Sequence, residues 1–88
     1  MRAADILQAA EKAVTHDRHV TYGEARDNMR LVANLWSAYL RCTITPEQVP
    51  ILLALMKIAR TQGGHGTDDN FIDLAGYAAI AGQLRGED

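Results

Sequence analysis

The stretch TPEQVPILLALMKIARTQGG, residues 45–64, carries a helix start signal at one end and a helix stop signal at the other. Thr45 suits an N-cap, Pro46 suits the first helical position, and Gln48 stands three residues after the cap, where it completes a capping box. Two glycines close the stretch, as is common at helix C-termini. The sequence therefore predicts a helix that runs to about Thr61.

The middle of this predicted helix, ILLALM, is apolar nearly all round. A surface helix normally keeps one polar face, so an all-apolar segment indicates burial on several sides. Two arrangements satisfy this expectation: burial within a helical bundle, or burial against a second subunit.

Three other segments place apolar residues at helical spacing, at residues 3 to about 15, about 24 to 40 and about 69 to 84. Short loops join them, and no strand alternation of useful length occurs. The sequence predicts an all-α fold, a compact antiparallel bundle of about four helices in a single domain, residues 1–88. The predicted inward positions are Leu31, Val32, Leu35, Trp36, Tyr39 and Leu40 in the second helix and Phe71, Leu74, Ala75, Ala78 and Leu84 in the last.

Length, charge and cysteine usage exclude several classes of protein. A chain of 88 residues has a marginal core of its own, so we expect oligomerisation to complete the bundle. A net charge of −2 gives no basic surface for DNA or RNA, and the lone Cys42 cannot form an intrachain disulfide. The apolar run at residues 49–56 is far short of the roughly 20 residues that span a bilayer. A soluble, cytoplasmic protein with no membrane partner is the expectation.

Two carboxylates mark a candidate site at the start of the last helix. Asp69 and Asp73 are four residues apart, so they share one face of a helix, where like charges repel. A divalent cation such as Mg²⁺ offsets that repulsion, and two or three carboxylates suffice to hold it. The alternative is helix capping, in which Asp68 and Asp69 satisfy free N–H groups and Asp73 faces water.

Further polar residues are expected near these carboxylates in an antiparallel arrangement. The first group lies in the second helix and the loop before it and carries carboxylate, amide and phenol side chains. The second group lies at the end of the third helix and in the glycine loop and carries cationic or imidazole side chains. They are Tyr22, Glu24, Asp27 and Asn28 in the first group and Lys57, Arg60 and His65 in the second. Each also has a structural interpretation as a cap, a partner of the helix dipole or a solvated side chain.

The segments TYGEARDNM, LWSAYL, ITPEQV, LMKIAR and DNFIDLAGYAAI occur in this order in the chain. Over residues 6 to 84 the sequence thereby resembles a family of small phage and prophage proteins of unassigned function. That family is in turn similar to the all-α NTP pyrophosphatases, the MazG-like group. The second resemblance implies a helical, oligomeric and Mg²⁺-dependent enzyme that cleaves nucleoside triphosphates to a monophosphate and pyrophosphate.

The MazG-like pattern is matched only in part. It has E-E-x-x-E on one helix and, after a lysine, E-x-x-D on a later one; here the first motif is thinned and the second pair is D-x-x-x-D. The resemblance implies Mg²⁺ ligands at Glu24, Asp27, Asp69 and Asp73, with Lys57, Asp69 and Asp73 as catalytic residues. It implies substrate contacts from Arg60 and His65 to phosphate and from Tyr22 and Asn28 to base or sugar.

The sequence therefore predicts a Mg²⁺-dependent pyrophosphohydrolase-like phage protein acting on (d)NTPs in the cytoplasm of a bacterial host. The resemblance also implies that Asp73→Asn abolishes turnover and leaves the fold intact. One alternative is a non-catalytic protein that binds and sequesters a nucleotide, which the thinned acidic cluster favours. The other is a small helical interaction protein that inhibits a host protein, which the ILLALM run favours.

Overall fold

The computed structural model describes residues 1–17, 25–64 and 67–86. These residues form an all-α bundle that measures 39 × 29 × 22 Å, and no strand occurs among them. None of the helices described is both long and apolar enough to cross a membrane. The elements are α1 (Ala3–Lys12), a π-helical turn (Ala13–Asp17), α2 (Ala25–Leu40), α3 (Gln48–Gln62) and α4 (Asp68–Gly86). The predicted fold class is confirmed.

The first helix begins as expected and changes its winding before its predicted end. The Asp5 carboxylate accepts a hydrogen bond from the Arg2 backbone N–H at 3.0 Å, which satisfies one of the free donors at the helix start. From Ala13 onward the backbone widens into the π-helical turn. Within it, the Thr15 hydroxyl donates to the carbonyl of Glu11 at 2.7 Å. Such wide turns interrupt α-helices at few places and often adjoin functional sites.

The capping box predicted before α3 is only half formed. The Thr45 backbone N–H donates to Gln48 Oε1 at 2.9 Å, as a capping box requires. The Thr45 hydroxyl, however, is buried without a hydrogen-bond partner, and the Gln48 N–H donates to the Thr45 carbonyl at 3.0 Å instead. Residues Pro46 and Glu47 thus form a tight turn, and α3 begins at Gln48, two residues later than predicted.

The glycine stop signal after α3 works as predicted. The helix ends at Gln62, and the Gly63 N–H donates to the carbonyl of Arg60 at 3.3 Å. Gly64 then adopts a positive φ of 81°, a conformation that residues with a Cβ rarely adopt. Arg41, directly after α2, has a φ of 56° without this freedom, so the end of α2 carries local backbone strain.

The core lies between α2, α3 and α4. Helix α4 packs along α3 and also against α1, while α2 packs against α3. Ser37 links the end of α2 to the segment before α3. Its hydroxyl accepts a hydrogen bond from the Ile44 N–H at 2.8 Å and donates one to the Ile44 carbonyl at 3.2 Å. The buried apolar cluster consists of Met29, Ala33, Val49, Ile80 and Leu84.

The predicted inward face of α2 was wrong at four of its six positions. Val32 and Trp36 pack against the core, but the other four side chains are between 55% and 87% exposed. The helix instead buries Met29 and Ala33. The four exposed positions are Leu31, Leu35, Tyr39 and Leu40.

The predicted inward face of α4 was also wrong in part. Leu84 is buried and Leu74 and Ala75 are half-buried, but Phe71 and Ala78 are exposed. Besides Leu84, the helix buries Asn70, Gly76, Ile80 and Ala81, none of which was predicted to face inward. The helix is therefore rotated relative to the prediction, with polar residues on part of its inner face.

The ILLALM run of α3 is not buried on several sides within one chain. Ala54 is buried, while Ile51, Leu52, Leu55 and Met56 are between 39% and 55% exposed. The sequence left a second arrangement open for this run, burial against a second subunit.

Candidate functional site

A buried ion pair joins α3 to α4 inside the bundle. The Lys57 Nζ lies 2.8 Å from Asp73 Oδ2, and the two side chains are only 10% and 24% exposed. Such a pair loses solvation on burial, and that loss commonly equals or exceeds the attraction it gains. In a domain of this size, with few buried apolar residues, the pair is a polar feature that packing alone does not require.

Asn70 adds a third polar side chain to the inner side of α4. It is 6% exposed and lies one helical turn before Asp73. Tyr77 follows Asp73 by four residues, so all three share one side of the helix. Beyond them, Ile80 and Leu84 continue the same side into the apolar core. The inner side of α4 is therefore polar toward its start and apolar toward its end.

The π-helical turn meets α4 directly beside this polar group. Val14 and Asp73 line the same narrow recess, together with Gly76 and Tyr77. A Cβ at Gly76 would lie 3.3 Å from Val14 Cγ1, tighter than an ordinary van der Waals contact. The absence of a side chain at Gly76 thus sets how closely the turn approaches α4, next to the ion pair.

The two carboxylates singled out in the sequence have different environments. Asp73 lies inside and pairs with Lys57, whereas Asp69 is exposed in the first turn of α4. Asp68 is exposed as well, and its Oδ2 lies 3.9 Å from the amino group of Met1. Acidic side chains at these first-turn positions complement the helix dipole, which suits the capping interpretation of Asp68 and Asp69, whereas Asp73 pairs with Lys57 instead of facing water.

The other predicted site residues are less closely grouped. Asp27 is exposed, with Oδ1 3.8 Å from the Nε of the neighbouring Arg26. Asn28 is half-buried on α2, and Arg60 is exposed near the end of α3. Three further predicted residues, Tyr22, Glu24 and His65, lie outside the described residues.

The described residues alone do not fit a magnesium site. Among them, no three histidine, cysteine, aspartate or glutamate side chains come together in a way that suits a metal ion. Asp69 and Asp73 come from one helix, and the ammonium of Lys57 already faces the second carboxylate. Of the two further ligands predicted, Asp27 is exposed on α2 and Glu24 lies outside the described residues.

Asn70 is the site residue that sequence reasoning missed. It follows two aspartates at a helix start, where polar residues are normally capping or solvated. Its spacing gave a usable signal, because it lies three residues before Asp73 and ten before Ile80, on one side of α4. The spacing identifies Asn70 as an inner residue only when it is already known which side of α4 faces the core.

Comparison with known proteins shows a family without an assigned activity. The family described as "Domain of unknown function (DUF6378)" matches residues 5–85. The Gene 55 protein of Mycobacterium phage L5 is 37% identical over 81 residues, and that of Mycobacterium phage D29 is 38% identical over 79 residues. These alignments include 91% and 90% of this chain and 52% of each relative, so the chain spans about half the length of the curated relatives it matches. No solved structure matches.

Proposed function

The chain belongs to the DUF6378 family, whose matched relatives are phage proteins, and on this premise we propose that it binds a nucleoside triphosphate beside the Lys57–Asp73 pair. One observation carries the proposal: the bundle places Lys57, Asn70 and Asp73 in its interior, each less than a quarter exposed. Charged residues are almost never buried for packing alone.

The burial of these groups is costly in so small a domain. Native domains of this length are stable by only about 5 to 13 kcal/mol, and a buried ion pair usually adds little to that total or lowers it. Apolar residues of the same volume in place of the pair are commonly neutral or stabilising. A functional requirement explains why the polar pair is present where apolar side chains would serve the fold as well.

The chemistry of the surrounding residues suits an anionic ligand with a polar base. Lys57 and Arg60 lie three residues apart on α3, and Arg can hold a phosphate through two hydrogen bonds. Asn70 carries an amide, which both donates and accepts hydrogen bonds as a nucleobase edge requires. A triphosphate at this end of α3 would also be near the N-terminus of α4, which favours negative charge.

Hydrolysis of the bound triphosphate to a monophosphate and pyrophosphate is the fuller version of the proposal. It rests on the MazG-like resemblance, in which Mg²⁺ bound by acidic residues activates water and stabilises the phosphates. The described residues supply Asp27, Asp69 and Asp73 toward such a set, and these three do not come together as a group that suits a metal ion. The catalytic version therefore depends on Glu24, and on Tyr22 and His65 for further contacts to the substrate.

A second candidate is sequestration of a nucleotide without catalysis. The contact between Lys57 Nζ and Asp73 Oδ2 favours it, because an ammonium at 2.8 Å stands where a cation would otherwise be held. Such a protein would bind nucleotide equally well without Mg²⁺. Both candidates place the protein where phage nucleotides are made, in the cytoplasm of an infected bacterium.

The test measures pyrophosphate release from a panel of dNTPs and NTPs, with and without Mg²⁺, and nucleotide binding by calorimetry on the same samples. The variant is Asp69→Asn rather than Asp73→Asn, because the buried ion pair makes Asp73→Asn a change in stability as well as in the site. The matched control is Asp68→Asn, since both residues are exposed in the first turn of α4 and only Asp69 shares a face with Asp73.

Three outcomes are informative. Mg²⁺-dependent release that Asp69→Asn abolishes and Asp68→Asn preserves would establish the hydrolase. Binding without release, unchanged by Mg²⁺, would establish the sequestering protein. Neither release nor binding of any nucleotide in the panel would contradict both candidates.

A further inference from the structure

An apolar strip runs along the outside of α3 and α4. On α3, Ile51, Leu55 and Ile58 follow the four-and-three spacing of a helix–helix seam, and they are 48%, 55% and 42% exposed. On α4, Phe71 is 43% exposed. Phe71 and Ala78 are seven residues apart and lie on the same side of α4, away from the ion pair. We call this surface the α3–α4 face.

A groove lies within the α3–α4 face, between the start of α3 and the end of α4. It has a volume of about 410 Å³, and its lining combines Ile51 and small residues with polar and charged ones: Glu47, Gln48, Ile51, Ala78, Ala81, Gly82 and Arg85. Nothing lies within 4 Å of the position that a Cβ of Gly82 would take. Small residues beside an exposed apolar strip permit the close approach of another helix.

The dimensions of the chain indicate that a large surface is left uncovered. Its accessible surface is 6191 Å², about 1,100 Å² more than the roughly 5,100 Å² expected of a compact monomer of 9.7 kDa. Its radius of gyration, 13.5 Å, likewise exceeds the roughly 12 Å expected for 88 residues. A standard protein interface buries about 800 Å² on each partner, and the excess over the whole chain is of the same order.

The charge of the α3–α4 face distinguishes between classes of partner. Along α3 from Gln48 to Ala59 the one charged residue is Lys57, which is buried in the pair with Asp73. At the groove, Glu47 and Arg85 add charges of opposite sign, so the face has no net charge to attract nucleic acid or an acidic protein. The apolar strip along α3 suits a twofold axis, where any charge close to the axis would meet its own copy.

We propose that a second copy of this chain binds to the α3–α4 face, forming a twofold dimer in which Leu55 of each copy lies in the centre of the interface. The groove beside Ile51 receives an apolar side chain from the partner. The burial that the ILLALM run calls for is then reached between copies rather than within one. This inference rests on the outer surface alone and is independent of the nucleotide site.

The experiment measures molecular mass by sedimentation equilibrium or light scattering between about 1 and 100 µM, a range in which a dimer with micromolar Kd dissociates. Leu55→Glu places a carboxylate in the centre of the face, and the matched control Leu35→Glu makes the same change on α2, where Leu35 is 61% exposed. Ala78→Glu alters the groove from α4 without changing α3. Far-UV circular dichroism confirms that each variant is folded.

We expect the wild type and Leu35→Glu to have twice the 9.7 kDa mass of one chain at the upper concentrations. We expect Leu55→Glu and Ala78→Glu to be monomers over the whole range. A wild-type monomer at all concentrations would overturn the proposal and leave a different protein as the occupant. A dimer that Leu35→Glu disrupts, or that folded Leu55→Glu and Ala78→Glu preserve, would overturn the assignment to the α3–α4 face.

Discussion

Replacing the buried ion pair with apolar residues should separate what it does for stability from what it does for function. The perturbation is a double-mutant cycle with Lys57→Met and Asp73→Leu. The Nζ–Oδ2 distance of 2.8 Å and the 10% exposure of the lysine side chain mean that Asp73→Leu leaves an ammonium with almost no water around it. Breaking a buried pair in this way costs about 3–5 kcal/mol.

The other two variants of the cycle should change the free energy of unfolding less than Asp73→Leu does. Lys57→Met leaves a carboxylate that is 24% exposed, so its cost is discounted for solvent to about 2 kcal/mol. The double variant leaves neither charge and should be as stable as the wild type or more so. The coupling energy between the two positions, which is the summed cost of the single variants less that of the double variant, should therefore be about 5–7 kcal/mol, above the usual range for residues in contact.

The assay is urea unfolding followed by far-UV circular dichroism, at one fixed protein concentration because any dimer raises the apparent stability. If Asp73→Leu does not fold, Asp73→Asn takes its place, since the amide oxygen can still accept a hydrogen bond from Lys57. Calorimetry with the nucleotide panel on the double variant completes the experiment.

We expect the double variant to be stable and to have lost nucleotide binding. Two results would refute the reasoning. Single variants within about 0.5 kcal/mol of the wild type, with no coupling, would show that the pair is solvated in solution and not buried. A double variant that binds nucleotide as the wild type does would show that the pair is not required for nucleotide binding.

Three smaller predictions concern single residues, and thermal unfolding at a fixed protein concentration checks each of them. Gly82→Ala should stabilise the protein by about 0.5–1 kcal/mol, which raises Tm by roughly 2–8 °C. Gly76→Ala should stabilise it less, because the added methyl group would lie 3.3 Å from Val14 Cγ1. Equal increases in Tm would contradict the close packing of the π-helical turn against α4. Arg41→Gly should stabilise by up to about 1 kcal/mol because it removes a positive φ of 56° from a residue with a Cβ, and a loss of Tm would contradict that conformation. Thr45→Val should stabilise by about 1 kcal/mol because it removes a buried hydroxyl with no partner, and destabilisation would show that the hydroxyl is bonded after all.

The helices of this chain could be predicted closely because their signals are local. Gln48 reaches back to the Thr45 N–H, and Gly63 and Gly64 end α3, through contacts within a few residues of sequence. Such contacts depend on spacing and residue type, both of which can be read directly. Where the prediction of a boundary was off by two residues, at Pro46, a tight turn had replaced the first helical residues.

The inward faces could not be predicted equally well, because the rule that apolar residues point inward fails when a chain has more of them than its core can hold. Leu35 and Tyr39 on α2 and Phe71 on α4 are apolar and exposed, while Asn70 and Asp73 are polar and inside. The rule assigned the first three to the core, gave Asn70 no place there, and left Asp73 as either a metal ligand or a residue that faces water.

Two of the three polar residues on the inner side of α3 and α4 had been singled out in the sequence. Lys57 was expected near the start of α4 from the antiparallel arrangement, Asp73 was noted from its spacing, and the structure brings the two into contact. Their pairing depends on the distance between the two side chains, and the spacing of residues along the sequence does not give that distance. Asn70 was hidden by the ordinary explanation for polar residues at a helix start.

The packing of α1 against α4 has a consequence for biosynthesis. The ribosome completes α1 well before α4, since about 70 residues separate Lys12 from Leu84. At about 5–20 residues per second, α1 waits roughly 4–15 s for this partner, and the buried apolar cluster is incomplete until Leu84 has been made. During those seconds the nascent chain exposes the apolar ILLALM run before α4 can pack along α3, so the unfinished chain is more prone to aggregation than the folded protein.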